Sequence, residues 1–146
     1  MATSIPIIRL RDVLLVAIQV ELSDRLVQEV RRDLASAIER SEVSFVVIEV
    51  SGVDTFDSYI ARSIRDMSHM AKLMGVTTVV AGLDPGVAIT LVEMGMELTG
   101  VPTVLDLESA LNLVERSRPR RVVSDDDLLA DAPSDFDDEL LGLSSG

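Results

Sequence analysis

Ser51-Gly52-Val53-Asp54-Thr55-Phe56-Asp57-Ser58-Tyr59 is a run of side chains able to do chemistry, set between an apolar stretch and the onset of helical spacing. Asp57 is a residue type that caps helices. Ser58 then falls at the first helical position, beside backbone N–H groups that no residue of the same helix can satisfy. Phosphate on the Ser58 hydroxyl would set its oxygens against that positive end. Its charge of about −1.5 to −2 would also lie close to Asp54 and Asp57, repelling an acidic partner or reshaping the loop. A phosphate at Ser58 is thus electrostatically tolerable. Asp57 and Ser58 equally make a plain helix start, and the pattern alone leaves both readings open.

The other reactive side chains form no catalytic set. Ser58 has no neighbouring base, and His69, the single histidine, lies eleven residues further on. At about 1.5 Å per residue it stands some three turns down the same predicted helix, out of reach for a Ser-His-Asp assembly, and reads as a surface residue. Gly82-Leu83-Asp84-Pro85-Gly86 has turn composition and precedes a helix that could receive a phosphate. It lacks the glycine, lysine and hydroxyl spacing of a nucleotide-binding loop. Asp54 and Asp57 form a carboxylate pair that acid–base chemistry could use, without aromatic platform or pocket residues around it. The chain has no cysteine, which excludes disulfides, thiol catalysis and thiolate metal sites. One histidine is too few for a multi-histidine zinc site. No enzymatic activity, metal or cofactor is expected.

A chain of 146 residues, 47% apolar, suits one domain with one core. Its only aromatic residues are Phe45, Phe56, Tyr59 and Phe136, so that core is built from Val, Ile, Leu, Met and Ala. Met67, Met70, Met74, Met94 and Met96 suit adaptable contacts between helices or subunits. The formal charge of −12 argues against non-specific nucleic-acid binding, which relies on neutralising phosphates. No stretch approaches the 18 apolar residues of a membrane span, and no basic-then-apolar leader opens the chain. A soluble cytoplasmic protein, with no membrane partner, is the expectation.

The charge is unevenly placed. Up to Arg121 there are 17 acidic and 13 basic residues; from Val122 to Gly146 there are eight acidic residues and no basic ones. The expected organisation is a domain over 1–117 and an acidic tail, weakly helical or disordered, over 118–146. Within that tail Leu128-Leu129, Phe136 and Leu140-Leu141 are apolar anchors should it bind something, and Ser117 to Arg121 (SRPRR) is a short basic run able to meet the acids or face solvent.

The elements that must position Ser58 alternate. Ile5, Ile7, Ile8 and Leu10 predict a strand, Arg11-Asp12 a turn, and Val13 to Val20 a second, antiparallel strand. Ser23 is a helix cap, and Leu26, Val27, Val30, Leu34, Ala37 and Ile38 repeat at helical spacing to about Arg40. A strand over Phe45 to Val50 precedes the helix from about Ser58, which Gly75 ends. Next come a strand over Thr77 to Ala81, a short helix from roughly Val87 to Met94, a strand over Thr103 to Leu105 and a helix from Leu107 to Arg116 capped by Asp106. The order β-β-α-β-α-β-α-β-α implies an α/β domain with mostly parallel pairing and right-handed crossovers. Periodicity does not decide whether helices cover one face or both.

Three segments carry a family resemblance: IPIIRLRDVLLVAIQVELSDRLV, VVIEVSGVDTFDSYIARSI and AGLDPGVAITLVEMG. Over about Ile5 to Leu113 the chain resembles the STAS domain (sulfate transporter and anti-sigma factor antagonist) family, in particular its stressosome scaffold branch. The resemblance implies a mixed, mostly parallel sheet of about four to five strands flanked by about four helices. It also implies a phosphoacceptor serine directly after an aspartate at the start of the second helix, the place Ser58 takes after Asp57, with Asp54 and Tyr59 supporting that site and its partner surface. In that branch a serine kinase of the histidine-kinase-like ATPase fold modifies the serine and supplies the nucleotide, and a PP2C-type phosphatase reverses the step. The scaffold assembles with a sensor-domain STAS paralogue into a large homo- or hetero-oligomer, and sequesters the kinase until stress. A generic anti-sigma factor antagonist is the alternative, although Tyr59-Ile60-Ala61 stands where those have small residues such as Ser-Gly; an assembly subunit without a phosphorylation switch is another. The acidic tail departs from the family pattern.

Overall fold

Strand placement follows the apolar runs, and each helix starts at a residue able to cap it. The computed structural model describes residues 5–96, 98 and 100–118, so the acidic segment from 119 onward lies outside the described residues. Strands β1 (Ile7–Leu10) and β2 (Val13–Ala17) form an antiparallel hairpin with Leu10 opposite Val13. Arg11 closes it with a φ of 58°, the left-handed conformation that suits a two-residue turn. Then follow α1 (Asp24–Arg40), β3 (Phe45–Glu49), α2 (Ser58–Leu73), β4 (Thr77–Ala81), α3 (Pro85–Glu93), β5 (Thr103–Val104) and α4 (Leu107–Ser117). The order of elements is the one the sequence implies.

The sheet order is β1-β2-β3-β4-β5, and every pair after the hairpin is parallel. Because the chain advances one strand at a time, crossovers of one hand put successive helices on one face. Val27, Val30 and Leu34 of α1 and Ile60, Ile64 and Met67 of α2 accordingly share a core with Leu14, Val16, Val46, Ile48 and Val80. Leu91 of α3 lines a hollow with Leu83, Leu98 and Val101, which belong to that core or pack on it. Helix α4 follows the last strand and takes the opposite face, where Ala110 and Val114 meet Val13, Phe45, Val47, Val79 and Ala81. Helices therefore cover both faces, unequally. Strand β3, buried on both sides, is the continuous apolar run that such a position requires.

Of the boundaries that differ from expectation, two have a clear local reason. Strand β2 stops at Ala17 instead of reaching Val20, because its partner β3 ends at Glu49; the Ile18 N–H donates to the Glu49 carbonyl at 2.9 Å and the chain then leaves the sheet. Helix α3 starts at Pro85, two residues earlier than predicted. Asp84 caps it by accepting from the Gly86 N–H at 2.9 Å, and proline at the first position gives up no helical hydrogen bond.

Candidate functional site

Strands β2, β3 and β4 run parallel, so their C-terminal ends and the starts of α1, α2 and α3 share one rim of the sheet. The loop from Val50 to Asp57 belongs to that rim. The Val53 N–H donates to the Val50 carbonyl at 3.0 Å and turns the chain back. Gly52 lies so close to the β2–α1 connection that a Cβ there would sit 3.1 Å from Gln19 Cα. From β4, Gly82 closes the other side with a φ of 90°; a Cβ on it would fall 2.5 Å from Glu49 Oε2 and 3.0 Å from the Ser51 nitrogen. Glu49 Oε2 in turn accepts from the Ser51 N–H at 3.3 Å. Three strand ends thus fix the base of the loop.

Asp57 is extended (φ −112°, ψ −177°), and its Oδ1 accepts from the Ile60 N–H at 2.9 Å, the arrangement of a helix cap. Ser58 is the first helical residue and half-buried, while Ile60, two residues on, is in the core. The hydroxyl of Ser58 makes no hydrogen bond among the described residues. Tyr59 donates from its hydroxyl to Asp24 Oδ1 at 2.6 Å and so ties the start of α2 to the start of α1. The Asp24 carboxylate holds the Tyr59 proton, and with burial and its negative charge it pushes the phenol above its ordinary value of 10.0. Ser63 donates to the Tyr59 carbonyl at 2.8 Å and steadies the first turn. Phe56 packs on the larger core.

Asp57, Ser58 and Tyr59 therefore meet at one helix start. Asp54 is in the same loop, exposed, and makes no ion pair among the described residues. His69 is exposed, away from Ser58 along α2. No group of three or more His, Cys, Asp or Glu is placed to hold a metal among the described residues. Sequence reasoning missed the role of Asp24 as the partner of Tyr59, and those of Gln19, Glu49 and Gly82 at the base of the loop. Parallel pairing carried a usable signal, since it places the starts of successive crossover helices at one rim.

Residues 4–110 match the STAS domain, which is most of the chain. The chain belongs to the STAS domain family. RsbS of Moorella thermoacetica, solved as a serine-to-glutamate variant, is 32% identical with a TM-score of 0.68, covering 78% of this chain and 97% of that one. A chain of the stressosome, described as a signal integration and transduction hub, is 32% identical with a TM-score of 0.64 over 76% of this chain and 96% of its own. The RsbT co-antagonist protein RsbRD of Bacillus subtilis is 31% identical over 70 residues, which make up 48% of this STAS chain and 25% of that relative. The STAS chain thus spans about a quarter of RsbRD, whereas it spans nearly all of RsbS. The likeness to RsbS and RsbRD places it among the stressosome members of the family. A STAS domain is a non-catalytic regulatory or scaffold domain. No helix among the described residues is long and apolar enough to cross a membrane.

Proposed function

We propose that this STAS domain is a phosphorylatable stressosome scaffold in the cytoplasm. Ser58 accepts phosphate from a serine kinase of the histidine-kinase-like ATPase fold, which the unmodified domain binds and sequesters. Phosphorylation releases the kinase into a stress-signalling pathway, and a PP2C-type phosphatase resets the domain. A sensor-domain STAS paralogue is the assembly partner. Residues 1–117 form the regulatory domain, with 118–146 as an appended acidic tail.

The observation that carries this reading is the position of Ser58 as the first residue of α2, directly after its cap Asp57. A phosphate there meets the unpaired N–H groups of a helix start, and it adds charge to a rim already holding Asp24, Asp54, Asp57 and Asp84. Modification is thus tolerated by the fold and felt by whatever docks on the rim. The RsbS likeness supports the stressosome setting.

The test is to incubate the full chain with its kinase and ATP and map phosphate by peptide mass spectrometry. Phosphate on the peptide containing Ser58, and its loss in Ser58→Ala, is the expected result. Unchanged uptake by Ser58→Ala overturns the assignment. Assembly into megadalton particles with the paralogue, while no kinase modifies the chain, favours the purely structural role.

A further inference from the structure

Helix α4 covers only part of its face of the sheet. It packs on β3, β4 and β5 and reaches Val13 at the start of β2, while Ile8 and Leu10 of β1 on the same face stay exposed. The register puts Ile8 opposite Leu15 and Leu10 opposite Val13, so Ile8 and Leu10 project on the α4 side. They are 47% and 42% exposed, unusual for strand residues of this kind, and Leu111 on the flank of α4 is 36% exposed. A groove of about 510 Å³ runs between hairpin and helix, floored by Leu10, Val13, Leu111 and Val114. Its rim is cationic. Arg9 and Arg11 are exposed and make no ion pair among the described residues. Arg9 leaves the strand on the α1 side, and its Nε donates to the Arg11 carbonyl at 2.9 Å, at the edge of the groove. Arg118, by contrast, is already engaged, to Asp12 at 2.6 Å and to Glu115 at 3.4 Å.

The Arg118–Asp12 pair also fixes where the chain leaves: beside the β1–β2 turn, at the mouth of this groove. A few residues further along the chain comes Asp125-Asp126-Asp127-Leu128-Leu129, within a segment that has no basic residue from Val122 to Gly146. The ten residues from Arg118 to Leu128 can span up to about 33 Å, and crossing two strands takes about 10 Å. Charge, apolar content and reach all match.

We propose that residues 125–129 of this same chain dock in the groove, with the aspartates on Arg9 and Arg11 and the two leucines on Leu10, Val13 and Leu111. The tethered segment acts at an effective concentration on the order of millimolar, so a modest intrinsic affinity is enough to keep the face covered. Docking withdraws Ile8 and Leu10 from water and from the free edge of β1, an otherwise open template for another chain. This inference is independent of phosphorylation at Ser58.

The absence of native cysteine makes a clean test available. A nitroxide on Ser124→Cys in the full chain is expected to broaden the NMR signals of Leu10, Val13 and Leu111 and to leave Ile89 on α3 sharp. Broadening should be lost in Leu128→Ser/Leu129→Ser and in Arg9→Glu/Arg11→Glu, and should weaken in about 1 M salt, where the Debye length is about 3 Å. Unchanged signals of Ile64 and Met67 verify that the variants are folded. Equal broadening of Ile89 and Leu10, or broadening that survives Leu128→Ser/Leu129→Ser, overturns the proposal. So does broadening seen only when spin-labelled chains are mixed with isotope-labelled ones, which would assign the groove to the tail of a second copy.

Discussion

Tyr59 is the residue whose contribution could not be read from its own neighbourhood. Its hydroxyl reaches Asp24 at 2.6 Å, a residue 35 positions earlier, and makes the two helix starts one unit. Removing the hydroxyl in Tyr59→Phe is expected to lower stability by about 1 kcal/mol at neutral pH, the usual net worth of such a bond. The pH dependence gives a sharper readout. Bonding to Asp24 and burial raise the phenol above 10.0 in the folded state, so the protonated form is the one that folding favours. The stabilisation is therefore fully present below the unfolded value of 10.0 and declines as pH rises through the higher folded value. Urea midpoints of wild type and Tyr59→Phe should differ by a constant amount from pH 7 to about 9 and converge above about 10. A difference that persists unchanged to pH 11 would show that the phenol packs without donating a proton. Ser58 is next to Tyr59 in the chain, so the same variant also tests whether phosphate uptake depends on how rigidly the start of α2 is held.

At the scale of elements, strand β4 contains one local conflict. Thr78 is 3% exposed and faces α2 from opposite Val46, yet its hydroxyl has no hydrogen-bond partner among the described residues. An unmet buried hydroxyl costs about 1–3 kcal/mol, so Thr78→Val should raise stability by about 1 kcal/mol and shift the thermal midpoint upward. A fall in stability would mean that an ordered water satisfies this oxygen in solution. Thr78 reads as an ordinary β-branched strand residue in sequence, and it shows how far the elements were legible there. Continuous apolar runs located β2, β3 and β4, and Ser23, Asp57 and Asp106 located three helix starts, because runs and caps are local physics. The split of helices between two faces was not legible, since it depends on strand order, which no window of sequence contains. The Asp24–Tyr59 bond and the approach of Gly82 to Glu49 are long-range in the same sense. Even the extent of β2 was set by the length of its partner strand instead of by its own apolar run.

For the whole molecule, most of the formal charge of −12 comes from residues 122–146, which hold eight acidic residues and no basic one. Strand β2 starts at the hairpin turn, where Arg11 and Arg118 line the groove, and ends at the rim that holds Ser58. Five residues of strand separate them by about 16 Å. Exposed charges further apart than a Debye length of about 8 Å are largely screened, so an acidic segment seated in the groove, as proposed, should contribute little to the field at Ser58. Local acids should decide kinase retention instead. Ser58→Asp adds one charge beside Asp54 and Asp57 and should weaken kinase binding by about tenfold, or about 1.4 kcal/mol, less than a phosphate would achieve. Leu128→Ser/Leu129→Ser should leave that affinity within about twofold while freeing the groove at the other end. Affinity of the immobilised kinase for the full-length variants measures both. Equal affinity of Ser58→Asp and wild type would count against a release switch. Equal weakening by both variants would mean that occupancy of the groove and kinase binding at the rim are coupled.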